Sequence, residues 1–214
     1  MPHLRRIILA IMATAVVAFS QVSLDNAFQT RYASNLNIGD SVVNISNTGA
    51  RGGVTLNSGT SASTGGAICA NVYAFSPDEQ MVSCCSCPVT PNGLVSLSAK
   101  SDLVSNTLTP ATPNSIVVKI LATVPVGGSC TNSAAGVATA TLAPGLVAWG
   151  TTLHSNTSTS PATIFGTETA FTPATLSASE LARLNDTCSF ILGNGSGFGV
   201  CRSCRLGGLG GTSR

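Results

Sequence analysis

The chain has 214 residues, enough for one domain or two small ones, and only 8% of them are charged although 43% are hydrophobic. Charge this sparse lies far below the roughly 25% of ordinary soluble domains, yet no apolar run reaches the ~20 residues of a bilayer span, so the polar surface must come from Ser, Thr, Asn and Gly. The formal net charge is +2; with Arg5 and Arg6 assigned to a leader, eight residues of each sign remain, which excludes a basic stripe for phosphates and hence a nucleic-acid partner.

Residues 1–20, MPHLRRIILAIMATAVVAFS, carry that leader pattern. Arg5 and Arg6 form a positive start, Ile7 to Phe19 an apolar stretch, and Ala18-Phe19-Ser20 a small-residue cleavage site, so residues 1–20 read as a signal peptide. The apolar stretch is short for a membrane anchor. The arginine pair fits an ordinary secretory leader or a twin-arginine one, and the sequence does not choose. A secreted or cell-surface protein, the periplasm included, is expected, with no membrane span after cleavage.

Residues 21–48 read as an N-terminal polar arm or edge strands, with short strands at Asn35 to Ile38 and Ser41 to Ser46. Residues 21–38 have little charge and no Pro or Gly, so they are suited to add a strand to a neighbouring subunit; the alternative is an ordinary first strand of the same domain. The β-rich domain is expected over 49–204. It begins with a Gly/Ser/Thr-rich loop, 49–66, around a short strand at Val54 to Leu56. Ala67 to Phe75 then alternates, with Ile68, Ala70, Val72 and Ala74 on one face and Cys69, Asn71, Tyr73 and Phe75 on the other. The turn at Ser76-Pro77-Asp78-Glu79 folds this strand onto Gln80 to Cys87 as a hairpin. Further strands follow at Leu94 to Ser98, Ser115 to Val124, Val137 to Leu142, Leu146 to Leu153 and Thr163 to Phe171, separated by Pro and Gly turns.

One helix is expected, at about 177–192. Ser177 and Glu180 have capping-box spacing, and Leu181, Leu184, Cys188, Ile191 and Leu192 fall on one face. Gly193 is a natural stop, and residues 205–214 form a Gly-rich tail. The fold class is therefore mainly β: an antiparallel sandwich or barrel-like domain with one C-terminal helix, stabilised by disulfides.

The eight cysteines are Cys69, Cys84, Cys85, Cys87, Cys130, Cys188, Cys201 and Cys204. An even count in an exported chain implies a disulfide framework, whose pairing the sequence leaves open. On a regular strand Cys84 and Cys85 point to opposite faces and need different partners, whereas Cys85 and Cys87 share a face. Cys69, on the neighbouring strand, is in reach of one of that pair. Cys188 faces the core from the helix and is placed to staple it to the sheet. A sharper reading gathers Cys84-Cys85-Ser86-Cys87 and Cys201-Arg202-Ser203-Cys204 into a thiolate metal site; free thiolates are rare in exported proteins. Thiol–disulfide exchange at Cys201-Arg202-Ser203-Cys204 lacks the helix N-terminus that such motifs use.

No catalytic signature stands out, so an enzyme is not expected and no cofactor is called for. His154 reads as a strand-end surface residue, Asp78-Glu79 as a solvated turn, and Trp149 as a core residue on a strand. The segment SCCSCPVTPNGLVSL, with AWGTTLH at Ala148 to His154 and CRSCRLGGLGG at the C-terminus, resembles a group of exported proteins of environmental bacteria. That resemblance implies export and a bacterial source and brings no assigned activity. The leading expectation is a non-enzymatic structural protein that assembles with copies of itself at the cell surface or in a fibre. A secreted ligand-binding sandwich is the alternative, and a thiolate metal or redox protein the third reading.

Overall fold

The computed structural model describes residues 26–53, 65–130, 141–201 and 204–206. The expected signal peptide, the strand at 54–56, nearly all of the strand at 137–142 and the tail beyond Leu206 lie outside these residues. Among them, alternating and β-branched runs form ten strands. These are β1 (Phe28–Ala33), β2 (Val42–Asn47), β3 (Ile68–Phe75), β4 (Met81–Val89), β5 (Leu94–Ser98), β6 (Ile116–Thr123), β7 (Leu146–Asn156), β8 (Thr163–Ala170), β9 (Thr172–Pro173) and β10 (Arg205–Leu206). Among the described residues a single α-helix, α1 (Ala178–Gly193), precedes β10, and a short π-helical turn, Ala99–Leu103, follows β5.

Every strand pairing is antiparallel. One sheet has the order β4-β3-β6-β1-β9 and the other β10-β5-β2-β7-β8. The two sheets pack face to face as a sandwich, and α1 covers the outer face of the first. Two apolar layers result. Ala70, Val72, Ile116, Val118 and Ile120 of the first sheet meet Val43, Ile45, Val95, Leu97 and Leu146 of the second. On the far side, Tyr73, Phe75, Met81 and Leu121 meet Leu181, Leu184, Cys188 and Ile191 of the helix. β3 is thus buried on both faces, at all of its positions; the alternation of Ile68, Ala70, Val72 and Ala74 anticipates the face turned to the second sheet.

Burying both faces places polar groups in the core, and most are paired. Asn71 donates to Leu121 O (2.9 Å) and Thr123 Oγ1 (3.0 Å) and accepts from Ser86 Oγ (2.8 Å). Tyr73 is different. Among the described residues its hydroxyl has no hydrogen-bond partner, and burial pushes the phenol well above its ordinary pKa.

The helix begins as its spacing predicts: Glu180 N donates to Ser177 Oγ at 3.1 Å. The Glu180 carboxylate pairs with Lys119 Nζ on β6 at 2.5 Å, which ties the first turn of α1 to the sheet. Leu181, Leu184, Cys188 and Ile191 are buried as expected, whereas Leu192 is exposed. At 3.6 residues per turn, Leu192 lies about 100° round the helix from Ile191, off the narrow face that one sheet can cover.

The described part of the expected arm or edge strands, residues 26–48, lies within the sheets. β1 lies between β6 and β9, and β2 between β5 and β7, so this segment supplies inner strands to both sheets. The Asn35 to Ile38 stretch is a turn and not a strand. Asn35 has a positive φ of 61°, Ile38 N donates to Asn35 O, and Leu36 is buried. The short connection from β1 in one sheet to β2 in the other, residues 34–41, needs such a corner, and a buried leucine anchors it.

Candidate interaction edge and the cystine lock

All eight cysteines are paired. The bonds are Cys69–Cys130, Cys84–Cys188, Cys85–Cys201 and Cys87–Cys204, with Cα separations of 5.4, 5.9, 5.4 and 5.5 Å, all within the usual 4.4–6.8 Å window. The pairing follows from strand register. Cys84 lies opposite Tyr73 and Cys85 opposite Val72, so the two face opposite layers. Cys84 meets Cys188 of the helix, while Cys85 and Cys87 face the sandwich side and take the C-terminal segment. Cys69 does not reach Cys85 or Cys87. It lies opposite Pro88, one residue out of phase with Cys87, and therefore on the other face; its partner is Cys130, beyond the end of β6.

The two tail bonds do more than close loops. Cys84 N donates to Gly199 O (2.8 Å) and Cys201 N to Cys84 O (3.3 Å), so the segment before the tail runs along the outer edge of β4. Beyond Cys204 the chain crosses to the second sheet, where β10 pairs with Ser96 and Val95 of β5. One short segment thus caps an edge of each sheet and joins the layers. The sulfurs of Cys85, Cys87 and Cys204 lie within 4.8 Å of one another, which is the cluster that the metal reading invokes. Each is consumed in a cystine, and a cystine sulfur is not the thiolate that a metal of this ligand class needs.

Sheet edges decide what a β protein can pair with. β4 is covered by Gly199 to Cys201 and by Leu108 N, which donates to Val82 O. β9 is two residues long and includes Pro173, and β10 is two residues long. β8 is the exception. It runs for eight residues, TIFGTETA, is exposed at every position, and has β7 as its sole described neighbour. It contains neither Pro nor Lys, the residues that natural edges commonly use as blocks.

The register of β2 on β7 ends at Gly150, whereas β8 follows β7 to Asn156. Beyond Leu153, which is buried and whose carbonyl accepts from Asn35 Nδ2 (2.7 Å), the hairpin is therefore a two-stranded ribbon projecting past the sandwich. Its turn is closed locally: Ser158 N donates to Asn156 Oδ1 (3.0 Å) and Thr163 N to Thr159 Oγ1 (3.2 Å). His154 stacks on Phe165 with ring centroids 5.2 Å apart, and its Nε2 lies 3.0 Å from Thr167 Oγ1. Both rings remain accessible, Phe165 at 49%.

Arg31 on β1 holds the root of the ribbon. Its Nη1 donates to Thr169 O (2.7 Å) and also to Thr169 Oγ1, and its Nη2 donates to Thr152 Oγ1 (2.6 Å). Gly150 makes room for it, because a Cβ there would fall 2.6 Å from Arg31 Nε. Burial between the sheets lowers the Arg31 pKa, and the nearby Glu168 carboxylate offsets part of that. On the outer face Asn44 Nδ2 donates to Glu168 Oε1 (3.0 Å), and Asn44 Oδ1 accepts from Ser96 Oγ (2.6 Å). Trp149, expected in the core, stands on this outer face at 37% exposure; it lies opposite Asn44 in register, and that phase points away from the sandwich.

The remaining residues singled out in the sequence are dispersed. Asp78 and Glu79 sit in the β3–β4 turn, where Ser76 N donates to Gln80 O (2.9 Å) and Glu79 O accepts from Arg183 Nη2 (2.8 Å). A shallow cleft of about 310 Å³ opens beside them, lined by Phe75, Pro77, Val117, Lys119 and Arg183. Both cations lie over the Phe75 ring, at 4.9 and 5.4 Å from its centroid. No helix among the described residues is long and apolar enough to cross a membrane. Compared with family models, curated proteins and solved structures, the chain matches none.

Proposed function

We propose that this is an exported, non-enzymatic structural protein whose subunits assemble with copies of themselves at the cell surface or in a fibre. The observation that carries this reading is the contrast among the sheet edges. The other described edges are short or covered, while β8 is long, unblocked and exposed. An edge left open in a fold that otherwise caps its edges suits a protein that associates through it. Four cystines supply the covalent reinforcement that an extracellular subunit needs, and the low charge weakens repulsion between copies. The cysteine motifs, through their likeness to exported bacterial proteins, support the same compartment.

Size-exclusion chromatography and electron microscopy of the secreted material test this directly. Dimers or larger regular particles are expected. A monomer at every concentration contradicts the proposal. The second reading, a ligand-binding sandwich, draws on the cleft at Phe75, Lys119 and Arg183. Two cations above one aromatic ring suit an anion, and about 310 Å³ is at the small end of ligand sites. Calorimetric titration with small carboxylates and phosphates on a monomeric protein, with signal lost in Lys119→Ala, would favour it.

A further inference from the structure

We infer that β8 pairs antiparallel with β8 of a second copy across a two-fold axis at Thr167, joining two five-stranded sheets into one of ten strands. This rests on the self-assembly proposed above and names its interface.

The ladder to β7 sets which groups are free. Phe171 N donates to Ala148 O at 2.8 Å, and Phe171 continues the β7–β8 register in which Ala170 faces Trp149. In an antiparallel ladder, alternate residues point their amide and carbonyl to the same side. Thr169, Thr167 and Phe165 therefore bond inward to β7, and Thr163 N closes the turn onto Thr159 Oγ1. Ile164, Gly166, Glu168 and Ala170 present theirs outward, and an incoming strand can bond only to these four.

A two-fold pairing of identical strands must place these outward residues opposite one another, which leaves few registers. With the axis at Glu168, two carboxylates lie directly opposite, a destabilising arrangement. With the axis at Gly166, the last outward residue, Ala170, lies opposite position 162, beyond the strand, and is left without a partner. With the axis at Thr167, all four outward residues find partners within the strand. Ile164 then faces Ala170 of the second copy, and Glu168 faces Gly166, which has no side chain to crowd the carboxylate. Phe165, half exposed in one chain, faces Thr169 of the second copy, beside the guanidinium that Arg31 holds there. Aromatic residues opposite Thr are favourable cross-strand neighbours. The interface is isologous, so it closes as a dimer, the unit from which any larger particle grows.

At a non-hydrogen-bonded pair the two Cα atoms are about 4.5 Å apart, and Thr167 meets its own copy at such a pair. Thr167→Cys is therefore expected to form an intermolecular disulfide under mild oxidation, seen as a doubled mass without reductant. Glu168→Cys and the loop variant Ser158→Cys should cross-link far less. Thr167→Lys and Thr167→Glu each place like charges opposite one another and should weaken dimerisation about tenfold or more, while an equimolar mixture of the two restores it. That rescue separates a broken interface from a misfolded chain. If particles persist in both charge variants and Thr167→Cys does not cross-link, the β8 pairing is overturned while the structural reading stands. If the unmodified protein sediments as a monomer throughout, both fail.

Discussion

The hairpins β3–β4 and β7–β8 are built from the same kinds of residue and end in opposite environments. β3 is buried at all eight positions and β8 at none. The difference is in what covers them. β3 has a strand on each side, a second sheet on one face and α1 on the other, and its hairpin carries four of the eight cysteines. Among the described residues β8 has one neighbouring strand, and its turn-proximal half runs past the register of β2. The β propensity of a run states that it will pair and leaves open how many partners it will have. Covalent locking at one end leaves the other free to serve as an interface.

The largest effect should come from the locked end. Replacing Cys84 and Cys188 together by Ala removes the bond between β4 and α1 without leaving a free thiol, and a loss of about 2–4 kcal/mol is expected in denaturant unfolding. Amide exchange should rise in α1 and stay unchanged in β8; a rise confined to β8 would break the division drawn here. Next, Arg31→Met keeps the apolar stem and removes the tether. Hydrogen bonds from a charged group contribute about 1.5–3 kcal/mol, so a loss toward the lower end of that range is expected, with exchange rising in β7 and β8 alone.

Tyr73→Phe is a smaller and more pointed change. The buried hydroxyl has no partner among the described residues, so its removal should leave stability equal or slightly higher. Its phenol is held above the unfolded value of about 10. Above that pH the unfolded chain releases a proton that the folded chain keeps, so stability falls as pH rises. The variant should show a shallower alkaline decline than the parent; an identical decline would mean that Tyr73 is not the group responsible. The smallest effect is expected at the ribbon, where His154→Ala should change unfolding free energy by less than about 0.5 kcal/mol.

Much of this was legible in the residues. β3 to β8 lie within a few residues of their expected bounds because their periodicity is strong. Ser177 caps the helix because the Ser–Glu spacing is a local signal. Cys84 and Cys85 diverge because alternation on a strand is a local property as well. What failed depended on distant partners. β1 was hidden because a half-buried strand can carry Gln29 and Arg31 when the opposite sheet accepts from them: Gln29 Nε2 donates to Leu146 O and Arg31 to Thr169 of β8. Trp149 looked like a core residue until register placed it outward. The open edge at β8 has a faint signal, the absence of Pro and Lys, which gains meaning once the order of strands is known.

Hydrogen–deuterium exchange on β8, resolved to single amides, tests the central claim most directly. At high dilution, the amides of Ile164, Gly166, Glu168 and Ala170 should exchange freely while those of Phe165, Thr167 and Thr169 are protected by β7. Raising the protein concentration should protect the first set and leave the second as it was. Outward amides that stay unprotected in the assembled material, or that are protected equally at every dilution, would contradict the claim that β8 is the edge through which copies of this protein meet.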